Sequence, residues 1–189
     1  MTDEKIVQPR NGKFQHFRIS DNEIEERLQA VVSITTTIPE HAETAEILGT
    51  NRSGSGVFIN QMGLIVTVGY LIAEAEQIWI STANGETVLA DTVVYDYESG
   101  LALLKPLNKI SIPTIAVSDS NREISAGDGG FILAGFGGIE QSVVVDIKSC
   151  DSFTGYWEYV LDRAFYTTPA HPSWGGAALL NKKAELIGV

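Results

Sequence analysis

Residues 54–68 read GSGVFINQMGLIVTV, and this stretch decides the fold. It contains two short apolar runs, at 56–59 and 64–68, separated by the turn residues Gln61, Met62 and Gly63. Valine and isoleucine favour extended backbone, whereas glycine is preferred where a tight turn needs a positive φ. The stretch therefore predicts two short strands joined by a turn.

The same alternation of short strands and turns extends in both directions along the chain. Residues 38–53 contain Pro39, Gly49 and several charges, and are predicted to form a long loop. Short strands at regular spacing are typical of β-barrels and β-sandwiches. The further predicted strands are residues 31–37, 77–81, 87–95, 101–105, 131–134, 142–147, 159–167, 177–180 and 186–189.

One short helix is predicted before the first strand. Ser20 and Glu23 have the spacing of a capping box, in which the hydroxyl and the carboxylate each accept a backbone N–H that the helix leaves free. Ile24 and Leu28 lie four residues apart and therefore share a helix face. The pattern predicts a helix that ends near Leu28.

The charge and cysteine content exclude several classes of function. Twenty-four acidic against thirteen basic residues give a net charge of −11, which disfavours both nucleic acid and anionic membranes as partners. No run is long enough to span a membrane, so the chain as written is expected in the cytoplasm, or outside it if a targeting segment has been removed. Cys150 is the single cysteine, and with three scattered histidines it gives no zinc spacing. Neither a metal nor a cofactor is expected.

The order of the motifs resembles the trypsin-like peptidases of the HtrA/Deg type. In that family a Gly-Ser-Gly-Val run, here residues 54–57, leads into a strand that ends in Thr-Asn-x-His, here Thr67 to Tyr70. The resemblance covers residues 24–189 or so. Its other pieces, in the family's order, are residues 90–96 with 101–105, residues 118–120, 127–128 and 131–137, and residues 175–176 with 179–181 and 186–188.

This resemblance implies an all-β fold with two six-stranded-type antiparallel β-barrels and a short N-terminal helix. The implied organisation is a flexible arm at 1–19, the helix and first barrel at 20–105, a connector at 106–128 and the second barrel at 129–189. The family has one more strand after the segment that ends here at Val189. The natural protein is therefore longer, with a PDZ domain as in many relatives or with the final strand, or the second barrel is incomplete.

The resemblance also places the catalytic positions, and each of them carries a residue of another type. Tyr70 stands at the histidine position, and a phenol is a poor proton acceptor at neutral pH. Gly100 stands at the aspartate position and has no side chain to orient an imidazolium. Trp174 stands at the serine position, and an indole is no nucleophile. The oxyanion hole loses a donor as well, because Pro172 stands where the family uses a backbone N–H.

We therefore expect a pseudopeptidase that binds a protein or peptide, or serves as a regulatory or scaffold domain. Tyr70, Trp174 and Ser173 are the candidate binding residues; the two aromatic side chains either contact a ligand or plug a disused cleft. One alternative is a serine peptidase rebuilt around Ser173 and His171. Another is an assembly module, a homo-oligomer in which Phe14 and Phe17 of the arm pack on a neighbouring subunit.

Overall fold

The computed structural model of the chain describes residue 14 and residues 17–119, 123–155 and 160–189. The helices are α1 (Asp21–Leu28) and α2 (Ala45–Leu48), with single 3-10 turns at Gly69–Leu71 and Gly138–Gln141. The strands are β1 (Val31–Thr37), β2 (Asn51–Phe58), β3 (Ile65–Val68), β4 (Gln77–Ser81), β5 (Thr87–Asp96), β6 (Leu101–Pro106), β7 (Gly129–Ala134), β8 (Ser142–Thr154), β9 (Val160–Thr168), β10 (Ala178–Leu180) and β11 (Leu186–Gly188).

The helix predicted from the capping box is confirmed as α1. The Ser20 hydroxyl accepts the Glu23 N–H at 3.3 Å, and the Ser20 N–H donates to Glu23 Oε2 at 3.0 Å. Ile24 and Leu28 are buried, as their spacing indicates. Within the residues described, neither helix has the length and apolar character needed to cross a membrane.

The first barrel is closed and six-stranded, in the order β1-β2-β3-β6-β5-β4, with antiparallel pairs throughout. Its core contains the fully buried Ile34, Ile65, Ile80 and Leu104. Closure brings the end of β3 to the turn between β5 and β6, where the Gly69 N–H donates to the Gly100 carbonyl at 2.7 Å. The turn that carries Tyr70 and the turn that ends at Gly100 therefore meet at one rim of this barrel.

The second unit is a five-stranded antiparallel sheet in the order β11-β10-β7-β8-β9, curled into a half-barrel. The all-β fold with two barrel-like units is confirmed, and the second unit stays open among the described strands. β8 continues to Thr154, beyond the predicted end at residue 147. Pairing with β9 explains the extra length, because Cys150 lies opposite Phe165 and Asp151 opposite Ala164.

The prediction of an uninterrupted loop over residues 38–53 is wrong. It contains the four-residue helix α2, and β2 begins already at Asn51. The cause is long-range pairing: Asn51 lies opposite Thr37 and Ser53 opposite Thr35 in the ladder with β1. Such pairing extends a strand through polar residues that have no strand pattern of their own.

The predicted arm at 1–19 lies largely outside the described residues. Phe14 is only 2% exposed and belongs to the main core of this chain. Its ring meets Phe17 edge to face, with ring centroids 5.5 Å apart. Phe14 is therefore covered within its own chain, and packing of the arm with Phe17 on a neighbouring subunit stays a prediction.

The connector at 106–128, of which 120–122 lie outside the described residues, bonds to both units. The Ile115 N–H donates to the Phe58 carbonyl at 2.9 Å on the first barrel. The Ser118 N–H donates to the Leu186 carbonyl at 2.8 Å on the second sheet. These bonds hold the two units side by side.

Candidate functional site

A cleft of about 420 Å³ lies between the two units. Tyr70, Ser173 and Trp174, the three candidate binding residues, all line it together with Pro172. The structure thus brings together four of the positions that the sequence singled out. The remaining lining residues are Ser33, Ser53, Gly54, Ser55, Phe136 and Gly175.

The aromatic rings of Tyr70 and Trp174 lie close together at this cleft. The ring centroids of Tyr70 and Trp174 are 6.2 Å apart, and the ring planes are tilted by 46°. Tyr70 is half-buried, whereas 67% of the Trp174 side chain is exposed. A side chain that plugs a disused cleft would have to be buried in it. The plug interpretation is therefore wrong for Trp174, whose indole stands open to solvent at the cleft.

Contacts hold Tyr70 in place at its hydroxyl and at its backbone carbonyl. Its hydroxyl rests on Gly175, so closely that a Cβ at that glycine would overlap with the phenol oxygen. The buried Arg52 donates from Nη1 to the Tyr70 carbonyl at 2.7 Å and to the Ala73 carbonyl at 3.0 Å. Hydrogen bonds from a charged donor to buried carbonyls are strong. The turn that carries Tyr70 is accordingly well anchored.

Arg52 is in turn held by a carboxylate through one threonine. Its Nη2 donates to Thr44 Oγ1 at 2.7 Å, and that hydroxyl donates to Glu74 Oε2 at 2.6 Å. The Thr44 hydroxyl and N–H lower the pKa of Glu74 below its ordinary value, with a smaller effect from the positive charge of Arg52. The chain Glu74–Thr44–Arg52 therefore supports the Tyr70 turn from behind.

Ser55 joins the two units through its N–H and its hydroxyl. Its N–H donates to the Gly175 carbonyl at 2.8 Å, and its hydroxyl accepts the Phe136 N–H at 3.1 Å. Its carbonyl accepts the Thr67 hydroxyl at 2.8 Å within the first barrel. One buried serine of β2 thus positions two loops of the second unit at the cleft.

His171 is 4% exposed, and both of its ring nitrogens are bonded to backbone. The Ser173 N–H donates to Nδ1 at 3.0 Å, so the ring proton lies on Nε2, which donates to the Gln141 carbonyl at 2.8 Å. Nδ1 faces the amide of Ser173 and not its hydroxyl. Nothing in the short polar stretch before Trp174 indicated that His171 would be buried.

Gly100 closes a turn that begins at Asp96. Gly100 has φ of 68°, and its N–H donates to the Asp96 carbonyl at 2.9 Å. The Asp96 carboxylate accepts the Ser99 hydroxyl at 2.6 Å and the Glu98 N–H at 3.2 Å. The Ser99 hydroxyl, with the Glu98 N–H second, lowers the pKa of Asp96, which is therefore ionised at neutral pH.

Two further aromatic residues at this rim were missed by sequence analysis. The Tyr95 ring lies against Gly69, the residue before Tyr70, and Tyr97 stacks on Tyr95 with centroids 4.4 Å apart. Tyr97 is 73% exposed. The repeat Tyr95-Asp96-Tyr97 at the end of a predicted strand was the available signal.

Trp174 also lines a second cavity, of about 310 Å³, on the open face of the half-barrel. Ser99 and Leu101 line it from the first barrel, and Leu161 and Phe165 from β9. Trp174 therefore lines two depressions, one together with Tyr70 and one together with Ser99 and Arg163.

Comparisons with known proteins agree with this fold. Residues 54–189 match the family model described as "Trypsin-like peptidase domain". The chain is 32% identical over 144 residues to the serine endoprotease DegS of Haemophilus influenzae, covering 75% of this chain and 42% of that protein. It is 32% identical over 139 residues to the periplasmic pH-dependent serine endoprotease DegQ of Escherichia coli, covering 72% of this chain and 30% of that protein.

Among solved structures, the fold is similar to the HtrA-type protease AlgW with tripeptide. The TM-score is 0.70 at 22% sequence identity, over 90% of this chain and 54% of that chain. The chain thus spans less than half the length of the two curated relatives. Because the family model covers well over half of the chain, and two HtrA/Deg relatives match it at 32% identity, the chain belongs to the trypsin-like peptidase domain family.

Proposed function

We propose that this domain does not hydrolyse peptide bonds and that it binds an extended peptide segment of a partner protein in the cleft of Tyr70 and Trp174. The observation that carries the proposal is the pairing of these two rings, 6.2 Å apart, at the positions of the family's base and nucleophile. The relatives are named serine endoproteases, so the proposal separates this chain from them.

The side chains at the cleft support the loss of catalysis. A phenol at position 70 and an indole at position 174 offer neither a base that works near neutral pH nor a nucleophile. Gly100 has no group that could orient a base. Other residues would have to supply the nucleophile, the base and the group that orients the base.

The backbone amides before Trp174 support the same conclusion. An oxyanion hole needs N–H groups aimed at the developing charge. Pro172 has no N–H, and the Ser173 N–H already donates to His171 Nδ1. Of these three consecutive positions only the Trp174 N–H is left to serve as a donor. The same bond opposes a peptidase rebuilt from Ser173 and His171, because both imidazole nitrogens are engaged.

The open cleft supports a binding function. Exposed tryptophan and tyrosine side chains supply large contact areas at protein interfaces and are frequent hot spots there. Here they lie beside a cavity with hydroxyl and backbone groups of Ser33, Ser53 and Gly54 at its wall. The AlgW structure of similar fold was determined with a tripeptide, which is the class of ligand we propose.

The test is a peptide-display selection on the domain, followed by calorimetric titration of the selected peptides. Trp174→Ala should weaken binding at least about tenfold, since truncation of a hot-spot residue costs about 2 kcal/mol or more and about 1.4 kcal/mol is a factor of ten. Trp79→Ala is the matched control, because Trp79 is also partly exposed but lies on β4 outside the cleft. Mass spectrometry of the titrated peptides should show them intact, and turnover that Ser173→Ala abolishes would contradict the proposal.

A further inference from the structure

A second cavity between the two units, also of about 420 Å³, shares a wall with the cleft of Tyr70 and Trp174. The shared wall is Phe136, which lines both. The Phe136 N–H donates to the Ser55 hydroxyl at 3.1 Å, so this wall is fixed to the first barrel. The other walls of the second cavity come from α1, the turn after β4, the connector and the loop after β7. The two cavities are therefore neighbours along one face of the molecule.

The strands of the first barrel connect the two cavities a second time. Ser33, which lines the cleft, lies opposite Ser81 in the ladder of β1 and β4. Thr82 and Ala83, the next two residues along the chain, line the second cavity. One strand spacing and two residues of extended backbone together amount to about 11 Å. An extended peptide covers that distance with about three residues, so one short peptide can reach both cavities.

The two cavities differ in their chemistry. The described residues that line the cleft are uncharged. Among the described residues that line the second cavity, Glu25 of α1 and Glu140 of the second 3-10 turn are charged, and both are acidic. The half-buried Ile112 and Ile139 line the same cavity. Apolar surface beside a carboxylate suits lysine and arginine, whose methylene stems pack on apolar side chains while the cationic group stays at the polar edge.

We propose that the second cavity extends the peptide site. A peptide held at Tyr70 and Trp174 runs past Phe136, and a lysine or arginine about three residues further along enters the second cavity with its cationic group towards Glu140. This inference rests on the proposed peptide-binding function and gives the ligand a minimum length and a charge. Carboxylates at a binding surface favour cationic ligands and disfavour acidic ones, so the second cavity adds selectivity that the uncharged cleft lacks.

The test is fluorescence anisotropy with the shortest tripeptide core of the selected peptides and with two hexapeptides that extend it. The extension ends in lysine and stands at the N-terminus of the core in one hexapeptide and at the C-terminus in the other. We expect one hexapeptide to bind at least about tenfold more tightly than the tripeptide, because the added residues bury further surface in the second cavity. Glutamate in place of that lysine should weaken binding about fivefold, since a repulsion replaces an exposed ion pair.

Variants assign the charge preference to the second cavity. Glu140 is exposed and Glu140→Gln keeps the size of the side chain, so the variant should fold, and it should cut the lysine–glutamate affinity ratio to less than half its wild-type value. Glu76→Gln is the matched control and should leave the ratio unchanged, because Glu76 is also exposed but lines neither cavity.

The outcomes separate this inference from the function on which it rests. Equal affinities of the tripeptide and both hexapeptides would overturn the inference and leave the peptide-binding function in place. A lysine–glutamate ratio that Glu140→Gln does not change would do the same. Failure of the tripeptide and of every selected peptide to bind would overturn both.

Discussion

The Nδ1 atom of His171 accepts the backbone N–H of Ser173, 3.0 Å away, and so cannot serve the hydroxyl of that serine. We therefore expect no covalent modification of Ser173 by a fluorophosphonate probe, as read by intact-protein mass spectrometry. An active serine hydrolase of the same fold gives the positive control. Stoichiometric labelling that Ser173→Ala removes would contradict the loss of catalysis.

Restoring the triad alone should not restore a peptidase. The triple variant Tyr70→His, Gly100→Asp, Trp174→Ser still has Pro172 in the oxyanion hole. One missing donor costs about 10²–10³ in rate. We expect fluorogenic peptide cleavage by the triple variant to stay near background, and to rise by at least about tenfold when Pro172→Gly is added. Full activity with Pro172 retained would show that position 172 does not contribute a donor in this loop.

Truncation of Trp174 should leave the fold intact. Its side chain is 67% exposed, so Trp174→Ala should change the free energy of unfolding by less than about 0.5 kcal/mol in urea titrations. The buried Leu71, next to Tyr70, is the contrasting position, where Leu71→Ala should cost about 2–5 kcal/mol. A loss at Trp174 as large as at Leu71 would restore the plug interpretation.

Gly175 should be intolerant of a methyl group only because of the Tyr70 hydroxyl. A Cβ at position 175 overlaps with that oxygen, whereas the next nearest atom, Tyr70 Cζ, would be 3.5 Å away, an ordinary contact. Gly175→Ala should therefore cost about 1–3 kcal/mol, the usual penalty for overpacking. In the Tyr70→Phe background the same change should cost at most about half as much. A double-mutant cycle by thermal unfolding measures the difference, and additive costs would contradict the contact.

The Glu74–Thr44–Arg52 chain that supports the Tyr70 turn should stabilise the protein less at low pH. The folded-state pKa of Glu74 is lowered by the Thr44 hydroxyl and N–H, so its contribution to stability is present above its ordinary value of 4.5. That contribution is lost as the pH falls through the folded-state pKa. Urea unfolding at a series of pH values should show a shallower acid slope for Glu74→Gln than for the wild type, and identical slopes would refute the role of Glu74.

Local chemistry explains which parts of the fold were predictable. The Ser20–Glu23 box and the turn residues at 61–63 act within a few positions along the chain, so α1 and the β2–β3 pair follow from sequence. The extension of β8 to Thr154 depends on a partner strand far along the chain, and it was missed. The same limit applies to β2, which starts at Asn51 because β1 pairs with it.

The features of the site likewise divide into those that could be predicted from the sequence and those that could not. The positions of Tyr70 and Trp174 followed from motif order, and the structure places their rings together. The exposure of Trp174, the burial of His171 and the contribution of Tyr95 and Tyr97 depend on how separate loops meet in space. A sequence pattern reports the type of side chain at such a position, but the neighbours that cover it come from other segments.

The hydrogen bonds of Ser55 also bear on the rate and the selectivity of the proposed peptide binding. Its hydrogen bonds to Gly175 and Phe136 tie both loops of the second unit to a strand of a closed barrel, so the distance between the walls is set before any ligand arrives. Under the proposed peptide-binding function, we expect association to be limited by encounter rather than by opening of the cleft. Tight complexes should then differ from weak ones mainly in how slowly they dissociate.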